Sequence, residues 1–452
     1  MKKILCLVLA LVMVLGMVAC GASEPAPTDA PKAEAPAPAP AAPAEEKPAE
    51  PVKLTISMWG DEARVAGYME SLKPFCEANN VEVEITAIPL ADYYTKLSSN
   101  LAAGTAPDVF WVAANNEATY ITNGYTLDLR PTLEAYPGWD MDDWYEGALE
   151  KTDYIGDGGI YGVPLSFGVR GVFYNKTLFE AAGVKTPAEC VADGTWTYET
   201  MFDLGEQIRK FDDTKIGVKL WCNGQANTYN VGFADILLAY GTNFVNDDSS
   251  EFILDSDAGK KVIQMIYDEM FVTESHAKPG DETAFLSGNV AMARETYSYM
   301  TNVVKAEVDF EWDVVPLPYG DAGSDSYLYT GNAYWHANAD GKNPELAKQL
   351  IAFISTKEAQ LEWCKTFMVP RKSIMSSEKM INLGEGFPAP ENIKAAFADS
   401  IEERPLWAYT GTEQWTLATT AIQQGLENIW AGAYNVEDGI AAMKSAVEPF
   451  LN

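Results

Sequence analysis

The sequence predicts an α/β protein of two lobes, set behind a secretion signal and a tether. Three observations predict it. About 400 residues remain once the first 51 are set aside, more than one hydrophobic core ordinarily holds. From Val52 to Val112 the apolar residues switch between strand and helix periodicity, the βαβ alternation of a mostly parallel sheet. Residues 158–176 form a long extended pattern broken by glycines, suited to a strand that leaves one lobe for another.

At the N terminus, Lys2 and Lys3 precede an apolar run from Ile4 to Val18 and a small Ala19, so residues 1–19 read as a secretory signal. A transmembrane helix is the competing reading, but the run is shorter than the ~20 residues needed to span a bilayer. Basic residues are also missing on its far side. The stretch Leu15-Gly16-Met17-Val18-Ala19-Cys20 resembles a bacterial lipobox, which implies lipidation of Cys20 and anchoring to the outer face of the cell membrane. Residues 20–51 are dominated by Ala, Pro and Glu, cannot bury a core, and are expected to be a disordered, extended tether.

A formal charge of −33 argues against nucleic acid or an anionic membrane face as partner, because both need basic patches. Beyond Cys6 and Cys20, the cysteines are Cys76, Cys190, Cys222 and Cys364, which allow three disulfide pairings that sequence does not choose between. Their spacing gives no metal motif. The only histidines, His276 and His336, are far apart, so zinc chemistry and a histidine-activated nucleophile lack support. No metal, cofactor or catalytic residue is therefore expected.

Taken in order, Val52–Trp59 alternates as a strand, Tyr68, Leu72 and Phe75 mark a helix, and Val81–Ile85 alternates again. A helix through Tyr93 and Leu101 closes at Gly104, and a buried strand ends near Val112. Thr177–Ala182 reads as a short helix stopped by Gly183. Thr197 is the expected N-cap of a helix through Leu204, and Asn343-Pro344 opens a helix through Leu346, Leu350 and Ile354. Ser355 and Glu358 suggest a capping box for a further helix over 357–367.

Several stretches together resemble the extracellular solute-binding proteins of carbohydrate ABC transporters, the maltose-binding-like family. They are Ala106-Pro107-Asp108-Val109, Tyr161-Gly162-Val163-Pro164 with Tyr174-Asn175-Lys176, Phe285-Leu286-Ser287-Gly288-Asn289-Val290-Ala291-Met292, Asn343-Pro344-Glu345-Leu346-Ala347-Lys348 and Val369-Pro370-Arg371. Their order covers nearly all of the chain after residue 51. The resemblance implies a two-lobed, type II periplasmic-binding-protein-like fold with the ligand in the cleft between lobes. Lobe one would comprise 52–164 plus 316–368, and lobe two 170–309 plus 371–452. It implies a monomer that captures a carbohydrate and hands it to ABC permease subunits, without chemistry of its own.

A sugar site needs aromatic faces for pyranose C–H surfaces and planar polar groups for hydroxyl pairs. Candidates beside polar residues in expected loops are Trp59 with Asp61 and Glu62, Asn115 with Asn116, and Trp221 with Asn223. Trp111 matches a family position that reaches the cleft, although a core tryptophan fits Val-Phe-Trp-Val equally. Glu295 and Tyr297 lie where the family often has Gly-x-Trp and this chain has Thr296 and Ser298. Gly331 and Asn332 resemble a small-residue loop whose amides meet the ligand. Arg371, at the last expected crossing, suits either a ligand clamp or an interlobe ion pair. Trp407 and Trp415 complete the set, Trp415 by its match to a stacking position. Maltose-type members carry a glutamate at Gly168, so maltose itself is not implied. The alternatives are a secreted glycoside hydrolase, which abundant Asp and Glu also suit, or the same fold serving peptides, polyamines or sensing.

Overall fold

The computed structural model describes residues 50–451 apart from 61, 146–147, 150–151, 222–228, 332, 366 and 408–413, with the side chains at 63, 64, 115 and 229–231 also outside the description. The signal, Cys20 and the tether up to residue 49 lie outside the described residues.

Two sheets organise the chain. In the first, β1 (Val52–Trp59) lies parallel to β2 (Val81–Ile88) and to β3 (Val109–Ala113). A late strand, Ala333–Ala337, enters antiparallel between β3 and β4 (Val163–Ser166). The sheet is therefore mixed, whereas the N-terminal alternation alone predicts a mostly parallel one, because the antiparallel strand comes from more than 200 residues downstream. The second sheet centres on β5 (Arg170–Asn175), flanked antiparallel by β7 (Val290–Thr296) and β8 (Trp312–Val315), with β6 (Ile216–Lys219) parallel to β7. A two-stranded pair joins β9 (Leu328–Tyr329) to β11 (Leu406–Trp407), and the late strand of the first sheet is β10.

Local chemistry explains why these elements form. Leu54, Ile56 and Met58 of β1 point into the core, where Tyr68, Leu72 and Phe75 of the Glu62–Asn79 helix meet them. The Asp108 carboxylate accepts from the Thr55 N–H (2.9 Å), the Thr55 hydroxyl (2.7 Å) and the Asn343 N–H (2.9 Å). One buried acid thus fixes the start of β3 to β1 and to the helix Pro344–Ile354. Further along, β1 and β3 pair only briefly, and the Tyr93 hydroxyl sits between them, accepting from the Trp111 N–H at 3.0 Å and lying 3.1 Å from the Ser57 carbonyl.

In the second sheet, Asn175 caps the Lys176–Ala182 helix through the Leu178 N–H, and Gly183 ends it at φ 65°, a left-handed conformation that glycine adopts without strain. Thr197 caps Tyr198–Phe211 as expected. One cap differs from expectation. Ser355 closes the preceding helix, its hydroxyl donating back to the Ala352 carbonyl, so Thr356 is the N-cap, and the helix runs Lys357–Trp363. Cys76, Cys190 and Cys364 are free thiols.

Between β4 and β5 the chain steps from one sheet to the other through Phe167, Gly168 and Val169. The Phe167 N–H donates to the Met368 carbonyl at 2.6 Å, tying this crossing to a second segment. A Cβ on Gly168 would lie 2.5 Å from the Gly331 carbonyl oxygen, so only glycine lets the two backbones approach this closely.

Candidate functional site

Where the strands of the first sheet end, a cleft of about 500 Å³ opens against the second. That volume is within the range of small-molecule sites, and the position follows the rule that α/β sheets bind ligands beyond strand C termini. The first wall carries Trp59 from the end of β1 and Trp111 from the middle of β3, with Tyr94 and Asn116 beside them. Ser166, Phe167, Gly168, Phe367 and Met368 form the base. From the second sheet come Arg170, Thr296, Tyr297 and Ser298, joined by Tyr329 and Gly331.

Trp111 answers both of its expected readings. It is 1% exposed, and Tyr68, Trp335 and Trp59 pack edge to face around it at 5.6, 5.1 and 5.0 Å, yet it also lines the cleft. Such a cluster holds the half-buried Trp59 ring at a fixed angle, ready to stack without losing freedom on binding. Burial pushes the Tyr94 hydroxyl up to about 12, against the bond it shares with Asn116, and it accepts the Ala113 N–H at 3.0 Å. Burial likewise raises Tyr297, whose hydroxyl donates toward the Met380 carbonyl (2.6 Å), fixing the ring at the cleft edge. At neutral pH both phenols are therefore neutral.

Of the expected residues, Trp59, Trp111, Asn116, Tyr297 and Gly331 line the cleft. Trp221, Glu295, Arg371, Trp407 and Trp415 are buried but stand apart from the described lining. Trp221 packs on His276 at 4.7 Å, and the Trp407 indole donates to Asp247 at 2.6 Å. Arg371 is bound on all sides: to Asp143 (2.9 Å), Gln360 (2.9 Å) and the Ser355 carbonyl (2.5 Å), with its guanidinium 4.5 Å from the Trp144 ring centroid. Of its two expected readings, those bonds match the ion pair. Burial alone would raise the Asp143 carboxyl, but the Ser373 N–H, Arg371 and the Ser373 hydroxyl together hold it below the usual carboxylate range. Glu62 is exposed at the start of its helix. Asp61, Asn223 and Asn332 lie outside the described residues, as does the Asn115 side chain.

Sequence reasoning missed Tyr94, Ser166, Phe167, Arg170 and Tyr329. The readable signal for Arg170 was a single cation in the otherwise apolar Val169–Tyr174 run, at the expected crossing.

A family model described as bacterial extracellular solute-binding protein matches residues 70–381. The chain belongs to that family. As a solute-binding protein it is similar to a binding protein of Brucella abortus (strain 2308), 25% identical over 327 residues that cover 70% of this chain and 74% of the relative. It is also similar to the galactooligosaccharide-binding protein of Bacillus subtilis (strain 168), 24% identical over 389 residues, 81% of this chain and 83% of that one. Among solved structures, an ABC substrate-binding protein from Listeria monocytogenes in complex with cycloalternan superposes with a TM-score of 0.74 at 19% identity, over 88% of this chain and 98% of that one. The fold is therefore the two-lobed, maltose-binding-like one that the sequence predicts.

Proposed function

We propose that this solute-binding protein captures a sugar or oligosaccharide outside the cell and delivers it to the permease of an ABC importer. The observation that carries this reading is the cleft itself: the half-buried rings of Trp59 and Tyr94 line it, backed by Trp111, and Asn116, Ser166, Thr296 and Ser298 offer hydroxyl and amide partners beside them. Sugars need that combination. Relatives named for galactooligosaccharide binding and solved with cycloalternan support it.

On this reading the lobes gather around the two sheets, 52–164 with 316–368 and 170–309 with 371–452, and the bonds from Arg371 to Asp143, Gln360 and Ser355 reach from the second lobe to the first. Ligand closes the lobes by favouring the closed state, the protein acts as a monomer and does no chemistry, and Cys20 carries a lipid that holds it at the membrane. The experiment is a thermal-shift screen of the purified full-length chain against mono- and oligosaccharides, with peptides and polyamines as controls. A binding sugar at a hundredfold excess over its dissociation constant adds ~2.7 kcal/mol of stability, read as a raised melting temperature. Shifts with peptides or polyamines alone would overturn the sugar reading, and consumption of the sugar would indicate a hydrolase. For the anchor, metabolic labelling with a fatty-acid analogue should be lost in Cys20→Ala.

A further inference from the structure

The chain holds 65 acidic residues against 32 Lys and Arg, yet the described lining of the cleft contains no Asp or Glu and a single fixed charge, Arg170. Among the described lining residues the acidic balance of the chain is therefore reversed.

Arg170 is 6% exposed. Its Nη1 makes one long bond, 3.4 Å, to the Tyr329 carbonyl, and the guanidinium lies 5.0 Å from the Tyr329 ring centroid. Among the described residues its buried Nε has no hydrogen-bond partner and no carboxylate forms an ion pair with it. Asp235, which accepts the Tyr329 N–H at 2.9 Å, is already committed to Arg294. Buried charges are ordinarily paired, because an isolated one is costly to remove from water. Arg371 and Arg294 obey that rule through carboxylates, and Arg404 donates to the Leu317 and Pro318 carbonyls at 2.9 and 3.2 Å. Arg170 lines the cleft with no carboxylate among the described residues to neutralise it.

We propose that the missing counter-ion is supplied by the ligand: the cleft takes an acidic saccharide, and its uronate carboxylate docks on Arg170. This rests on the reading of the cleft as a sugar site. The planar fork of a guanidinium matches a carboxylate through two parallel bonds, which distinguishes an acid from the corresponding neutral hydroxymethyl sugar. Trp59 then receives a pyranose face across the cleft, while the acid end lies against the second sheet.

The test is calorimetric titration of the purified full-length chain with matched pairs, D-galacturonate against D-galactose and D-glucuronate against D-glucose, together with α-1,4-linked digalacturonate and succinate. At least one acid is expected to bind tenfold or more tighter than its neutral partner. Arg170→Gln should weaken that acid by about tenfold to a hundredfold and its neutral partner by much less, and Arg170→Lys should restore part of the loss. A neutral sugar that binds as well as its acid overturns the inference and leaves the sugar reading standing. Succinate binding that needs Arg170, with every sugar silent, overturns the sugar reading and keeps the anion site. Silence of every acid overturns the inference. Because the matched pairs are measured on the unsubstituted protein, the result stands even if Arg170→Gln fails to fold.

Discussion

Two arginines near the chain crossings, Arg371 and Arg170, are both buried and both lie over an aromatic ring, at 4.5 and 5.0 Å. Arg371 is met by a carboxylate, an amide oxygen and a carbonyl, whereas among the described residues Arg170 has one long bond to a carbonyl. Equal burial therefore marks opposite roles. A guanidinium whose donors are matched within the chain is scaffold, and one whose donors are left facing a cleft is matched by something that arrives later.

The largest expected effect separates the two directly. Arg371→Met strands Asp143 and should cost about 3–5 kcal/mol in urea unfolding, whereas Arg170→Gln removes an uncompensated charge and should leave stability within about 1 kcal/mol. Equal losses in the two variants would erase the distinction. Next comes Gly168→Ala, whose Cβ would press on the Gly331 carbonyl oxygen, with an expected cost of about 1–3 kcal/mol by the same measurement. A neutral result would mean that the two crossing segments separate freely. Smaller again, Trp59→Ala should lower ligand affinity about threefold to tenfold through the lost aromatic contact, with the melting temperature of the ligand-free protein little changed. An unchanged dissociation constant for a confirmed ligand would take this wall out of the site.

The smallest effect is a pH dependence. The folded Asp143 carboxyl sits below its usual value, so its contribution is complete above the ordinary carboxylate range and is lost as pH falls through the folded value. Stability curves of the parent and Asp143→Asn should differ by a constant amount near neutrality and converge in acid. Parallel curves down to low pH would show that the pair with Arg371 is not held by charge.

Much of the first lobe was legible because its elements are local. The alternation of β1, the Tyr68, Leu72 and Phe75 stripe and the glycine stop at Gly104 each depend on residues within a few positions of one another. The crossing at 163–175 was legible too, since glycine punctuation marks bends. What sequence did not give is who meets whom across long separations. Trp221, Trp407 and Trp415 share the aromatic character of Trp59, but all three are buried away from the described lining of the cleft. Ser355 and Thr356 differ by a single position, and the end of the preceding helix decides which of them caps the next. Arg371 was visible as a cation at a crossing, yet its neutralisation by Asp143, 228 positions away, was not.

The order of strands in the first sheet also fixes a sequence in time. β3 and β4 are not hydrogen-bonded to each other; they are joined only through β10, which follows the whole second sheet in the chain. Asp108 likewise waits for Asn343, 235 positions later, to fill its third bond. As the chain emerges from the ribosome N terminus first, the leading half has an unfinished sheet and a high contact order until residue 343 is available. Closing so long a loop adds to the entropy that must be overcome before any of those contacts stabilise the fold. The first sheet is thus completed only once the segment from 333 to 343 has been made, and the bonds that close it are among the last that this half of the molecule can form.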